Sequence, residues 1–98
     1  MEWTDIEIIN RLSEKVTPAL KEQGIHADAL PPTYRLHDRD QFPDERFVEL
    51  LAEKRGSDER VAFSRIVEIE EVRRRGSDAV ADDFCKRAAN ALANIEVK

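Results

Sequence analysis

The side chains with the greatest potential for chemistry lie in one polar segment before the middle of the chain. His37 stands next to Asp38, and Asp40 follows two positions later. A histidine oriented by a carboxylate can act as a general base, and a carboxylate-x-carboxylate pair begins many calcium-binding loops. However, no companion nucleophile or phosphate-binding glycine loop accompanies them, and Phe42 stands where a third calcium ligand belongs. A metal-dependent site around His37, Asp38 and Asp40 is therefore an alternative, and we predict a protein that is not an enzyme and binds no cofactor or metal.

A second candidate is the dense basic cluster late in the chain, Arg73, Arg74 and Arg75. Arginines at the end of a helix usually complement the helix dipole and form ion pairs. A dimeric DNA-binding transcriptional regulator that uses this cluster is the other alternative. The acids that follow, Asp82 and Asp83 among them, repel phosphate, so nucleic acid is not the partner that we expect.

The charge distribution favours a protein partner instead. The net charge is −5, and residues 1–50 contain 11 acidic and 6 basic residues. Charge of this kind steers association with a basic surface. We therefore predict a non-catalytic protein–protein interaction module: a small adaptor, inhibitor or accessory subunit that acts on a basic partner surface. Its partner-binding residues are predicted in the segment before residue 45, at Tyr34, Arg35, His37, Asp38, Asp40 and Asp44.

Chain length and cysteine content limit the possible domain organisation, oligomeric state and location of the protein. The 98 residues are predicted to form a single domain over residues 1–98. A chain this short buries only about 60–68% of its unfolded surface, which favours a homodimer. Cys85 is the single cysteine, the first residues do not resemble a signal peptide, and no apolar run is long enough to span a membrane. We expect a cytoplasmic protein with no membrane contact.

Apolar periodicity indicates helices at both ends of the chain. Apolar residues recur at three- and four-residue steps over residues 4–23, which predicts an amphipathic helix, kinked at Pro18 because proline cannot donate the helical hydrogen bond. Residues 78–96 carry a similar stripe. Helices are also predicted over residues 43–55 and 58–75, and residues 24–42 are expected to form a long irregular loop. The predicted fold class is all-α, a compact four-helix bundle.

The tetrapeptide Arg-Gly-Ser-Asp occurs twice, beginning at Arg55 and at Arg75. We interpret each copy as a short connection between two helices, in which glycine ends one helix and serine begins the next. The alternative is a trace of sequence duplication. Between the copies, residues 61–72 are rich in β-branched side chains and partly alternate, so a strand is the alternative to a helix there.

Overall fold

The computed structural model describes residues 5–30 and 47–97 of the chain. In these ranges three helices and three strands follow one another as α1 (Asp5–Lys21), β1 (His26–Leu30), β2 (Phe47–Arg55), β3 (Arg60–Glu68), α2 (Ile69–Arg75) and α3 (Ser77–Leu92). This is an α+β fold. The prediction of an all-α four-helix bundle is therefore wrong.

The three strands form one antiparallel sheet in the order β1-β2-β3. Ala52 of the central strand β2 lies opposite Ala27 of β1 and Phe63 of β3, and both ladders run without interruption. Residues that are directly opposite in a ladder point to the same face of the sheet. This register therefore determines which side chains meet the helices.

The helices α1 and α3 pack together on one face of the sheet. α1 lies against β1, while α3 crosses β2 and β3. Four residues at steps of four supply the buried side of α1: Ile8, Leu12, Val16 and Leu20. Every second residue of the central strand meets them from the sheet: Val48, Leu50 and Ala52. The core is thus a helical layer on a sheet, with Phe84 of α3 almost fully buried between them.

The two terminal helices agree with their predictions. α1 extends from Asp5 to Lys21 with Pro18 inside it, against a predicted range of 4–23. α3 covers Ser77–Leu92, against 78–96. In both segments most of the large apolar residues fall on a single helical face, so local periodicity was enough to identify them.

The two middle helices were predicted wrongly. The described part of the predicted helix 43–55 is strand β2, and the predicted helix 58–75 divides into strand β3 and the short helix α2. Phe47 and Leu51 fill positions between the alternating buried residues of β2, so the segment also satisfies a helical spacing. The strand alternative was correct for Arg60–Glu68. Of the predicted loop 24–42, His26–Leu30 is strand β1, and residues 31–42 lie outside the described residues.

The repeated tetrapeptide has two different roles. At Gly76 it separates α2 from α3, as predicted, and φ is +93°. At Gly56 it forms instead the turn of the β2–β3 hairpin, where the Gly56 amide donates to the Glu59 carbonyl at 2.8 Å. Gly24 and Gly76 are the glycines with positive φ in the described part of the chain, so Gly56 does not adopt the positive φ that is common in a glycine that ends a helix.

No helix within the described ranges combines the length and the apolar character needed to cross a bilayer.

Candidate functional site

The face of the sheet that points away from α1 and α3 is the candidate site. Among the described elements, only α1 reaches it, at the β1 edge, where Ser13 contacts Asp28. We call this surface the open face. It consists of alternate residues of the three strands, namely His26, Asp28, Leu30, Phe47, Glu49, Leu51, Glu53, Arg55, Arg60, Ala62, Ser64, Ile66 and Glu68.

Apolar and acidic side chains alternate across the centre of the open face. Leu30, Glu49 and Ile66 form one row, because Glu49 lies opposite both of the others in the two ladders. Leu30 is 36% exposed and Ile66 is 48% exposed. Neighbouring strands lie about 4.8 Å apart, so the three side chains stand close enough to contact one partner segment. Leu51 continues the apolar surface in the next row, between Asp28 and Ser64.

At one end of the open face, Glu53 forms ion pairs with two arginines. Glu53 is buried to 7% exposure, and its carboxylate accepts a hydrogen bond from Arg55 Nε at 2.7 Å. Arg60 Nη1 lies 3.8 Å from the other oxygen of the same carboxylate. A buried carboxylate needs such partners, because burial without them would be costly. This carboxylate offsets only one of the two arginines, but Asp28, Glu49 and Glu68 leave the open face with a net negative charge.

Hydrogen bonds from α1 hold Asp28 and its strand in place. Ser13 Oγ donates to Asp28 Oδ1, which also accepts from the Ala29 amide at 2.9 Å. Four residues along α1, Thr17 Oγ1 donates to the Ala27 carbonyl at 2.7 Å. These contacts fix the position of the acidic side of the open face relative to the helical layer.

A cavity of about 390 Å³ lies where the open face meets the end of α1. Lys21 and Arg55 contribute positive charge to its lining, and Asp28 and Glu53 contribute negative charge. His26 lies opposite Glu53 in the same lining. Of the side chains in the described ranges, no three histidines, cysteines or carboxylates are grouped closely enough to hold a metal ion.

The basic cluster at residues 73–75 closes the short helix α2 and is partly paired within that helix. Arg74 Nη2 lies 3.9 Å from one oxygen of Glu71, and Arg75 Nη1 lies 3.7 Å from the other. Asp78 begins α3 just beyond the cluster and pairs with Lys15 of α1. Phosphate would therefore meet acidic as well as basic groups at this end of the molecule.

The partner-binding residues predicted from sequence lie outside the described residues: Tyr34, Arg35, His37, Asp38, Asp40 and Asp44. The alternative metal site at His37, Asp38 and Asp40 lies there as well. Sequence reasoning missed the open face, because it read β2 and β3 as helices. The available signal was the alternation of Val48, Leu50 and Ala52, which leaves Glu49 and Leu51 together on the opposite side.

Comparison of the chain with protein-family models, curated proteins and solved structures gave no match.

Proposed function

We propose that this protein is a non-catalytic protein–protein interaction module that binds a basic, partly apolar segment of another protein on the open face. One observation carries the proposal: the row Leu30–Glu49–Ile66, with two exposed apolar ends and a half-buried centre, lies on the side of the sheet opposite the helical layer. The roles that suit a small module of this kind are adaptor, inhibitor or accessory subunit.

The apolar residues of the row would supply the driving force for binding. Leu30 and Ile66 are two of the large hydrophobic residues that stand exposed in the described chain. Exposed apolar side chains that cluster, with polar residues around them, are typical of interaction sites, whereas single exposed residues are ordinary. Leu51 joins the two across the sheet, so the cluster is continuous.

The charged part of the row supplies the selectivity. Glu49 and Asp28 place negative charge between and beside the apolar residues, and the whole chain carries a net charge of −5. A partner segment in which lysine or arginine alternates with apolar residues would match both features. Such charge complementarity mainly increases the association rate and excludes wrong partners. The proposed setting is the cytoplasm, where the free thiol of Cys85 would stay reduced.

Peptide titration followed by amide NMR tests this function. We expect a peptide that alternates lysine with leucine to shift the amides of Asp28, Glu49, Leu51 and Ile66. A matched peptide with glutamate in place of lysine should bind at least about tenfold more weakly, because it would meet like charge.

Matched variants localise the effect. Glu49→Lys should weaken binding of the basic peptide and strengthen that of the acidic one, whereas Glu14→Lys on the exposed side of α1 should change neither. Equal binding of both peptides, or shifts confined to the helices, would contradict the proposal. A duplex DNA probe whose binding falls steeply with salt and is lost in an Arg73/Arg74/Arg75→Ala variant would instead support the DNA-binding alternative.

A further inference from the structure

The two outer edges of the sheet differ in how their backbone groups are satisfied. The β1 edge is only five residues long and lies beside α1. Two of its outward backbone groups have partners, since the Ala27 carbonyl accepts from Thr17 Oγ1 at 2.7 Å and the Ala29 amide donates to Asp28 at 2.9 Å. This edge is therefore partly covered by α1.

The β3 edge is nine residues long, and no described strand pairs with its outer side. In an antiparallel ladder, alternate residues exchange backbone hydrogen bonds with the neighbouring strand. Gly56 and Glu59 form a hydrogen-bonded pair at the turn, so every second pair of the ladder beyond it is also hydrogen-bonded. The β3 residues that bond to β2 are therefore Val61, Phe63, Arg65 and Val67. The residues between them direct their amides and carbonyls outward, and all five are exposed: Arg60, Ala62, Ser64, Ile66 and Glu68.

Sheet edges of this kind pair readily with another strand, and proteins usually block them with proline, bulges or a covering element. β3 has no proline and its ladder to β2 has no bulge. We propose that β3 pairs antiparallel with β3 of a second copy of the chain, about a two-fold axis at Ser64. The product is a homodimer with a continuous six-stranded sheet.

Charge complementarity favours a second copy of the chain as the partner of β3 and also determines the register of the pairing. An axis at Ser64 places Arg60 opposite Glu68 of the second copy and Ala62 opposite its Ile66. Opposite charges and apolar pairs directly across a ladder are the favourable arrangements. An axis at Phe63 would set Arg60 against Ile66, and an axis at Arg65 would set two arginines against each other. Of these three registers, only the one with its axis at Ser64 makes the strand complementary to itself.

The dimer would also complete the burial that a short chain lacks. Ile66, 48% exposed, gains a neighbour across the new ladder, and the backbone groups of the β3 edge gain partners. The open faces of the two copies become one surface that presents the Leu30–Glu49–Ile66 row twice. This inference is independent of the proposed function, because self-pairing requires no other protein.

Charge exchange tests the register in solution. Sedimentation velocity over a range of protein concentrations should show a monomer–dimer equilibrium. Arg60→Glu and Glu68→Arg should each raise the dimer Kd about tenfold or more, because each sets like charges in opposition. The double variant Arg60→Glu/Glu68→Arg should recover most of the affinity, and Lys86→Glu on α3 should leave it unchanged.

Cysteine cross-linking gives an independent measurement in a Cys85→Ala background. Residues in a hydrogen-bonded antiparallel pair have Cα atoms about 5.5 Å apart, within disulfide range. Ser64→Cys should therefore oxidise to a covalent dimer, and Ala62→Cys, which would face Ile66 rather than itself, should not. A wild-type protein that stays monomeric at high concentration would overturn the proposal. So would additive losses in the double charge variant, or equal cross-linking at positions 62 and 64.

Discussion

Phe84 is the residue that joins the helical layer to the sheet. It is 1% exposed, and its ring stacks on that of Phe63 with centroids 5.8 Å apart and an angle of 30° between the planes. Its place in the core follows from the apolar stripe of the last helix and needs no tertiary information. The contact with Phe63 does not follow from this stripe, because Phe63 comes from a segment for which a strand was only the alternative prediction.

Removing this ring tests the core directly. Phe84→Ala should lower the free energy of unfolding by about 3–5 kcal/mol, because it removes a buried aromatic side chain and leaves a cavity. Ile6→Ala is the control, since Ile6 is 71% exposed and its loss should change stability by less than about 0.5 kcal/mol. Equilibrium urea denaturation measures both. Equal effects would mean that the helical layer does not depend on Phe84.

Asp78 links α3 to α1 through a surface ion pair. The hydrogen bond and the charge of Lys15, with a smaller contribution from Arg11, lower the pKa of the Asp78 carboxyl below its ordinary value. A carboxyl whose pKa is lowered in the folded state stabilises the protein above its unfolded pKa, and loses that contribution as pH falls through the folded value. The contribution is therefore present at neutral pH, and its loss is confined to acid.

An Asp78→Asn variant tests this link. Its melting temperature should lie below that of the wild type at neutral pH, and the difference should shrink below about pH 4, where the wild-type carboxyl begins to protonate. The control is Asp58→Asn, in the exposed turn of the hairpin. A difference between Asp78→Asn and the wild type that stays constant down to strong acid would contradict the link. The size should be small, because Asp78 is exposed.

At the scale of elements, one tetrapeptide ends a helix in one place and turns a hairpin in another. The difference lies at the glycines. Gly76 has φ +93° and ψ 144°, a combination that essentially only glycine adopts, and its amide donates to the Val72 carbonyl. Gly56 does not have positive φ and serves the β2–β3 turn. The tetrapeptide does not determine its own conformation; the flanking segments do.

This distinction predicts unequal effects of the same substitution. Gly76→Val should cost at least about 1 kcal/mol, because a β-branched residue is strained at positive φ. Apart from Gly76 and its chain neighbours, no residue has a heavy atom within 4 Å of the position that a Cβ would take, so the cost comes from the backbone and not from a clash. Gly56→Val should cost less. Chemical denaturation of the two variants compares them, and equal losses would refute the assignment.

An element could be predicted when the pattern within its own segment was enough to identify it, without knowledge of the elements that pack or pair with it. α1 and α3 have one apolar face each, so their spacing alone identified them. β2 combines the alternating residues Val48, Leu50 and Ala52 with Phe47 and Leu51. This pattern fits both the alternation of a strand and the spacing of an amphipathic helix. Only pairing with β1 and β3 resolves it, and strand pairing depends on residues distant in sequence. The alternation in β2 could have placed Glu49 and Leu51 on one face, but the residues that join them from β1 and β3 follow only from the register.

At the scale of the whole molecule, the difference between the two edges of the sheet limits what association can produce. An assembly that adds strands needs an acceptor at each end of the sheet, and here α1 already covers part of the β1 edge through the hydrogen bond from Thr17 to the Ala27 carbonyl. Joining two β3 strands would use the other edge of both copies. The combined sheet would then end on each side in an edge that α1 partly covers, which disfavours growth beyond two subunits into a fibre.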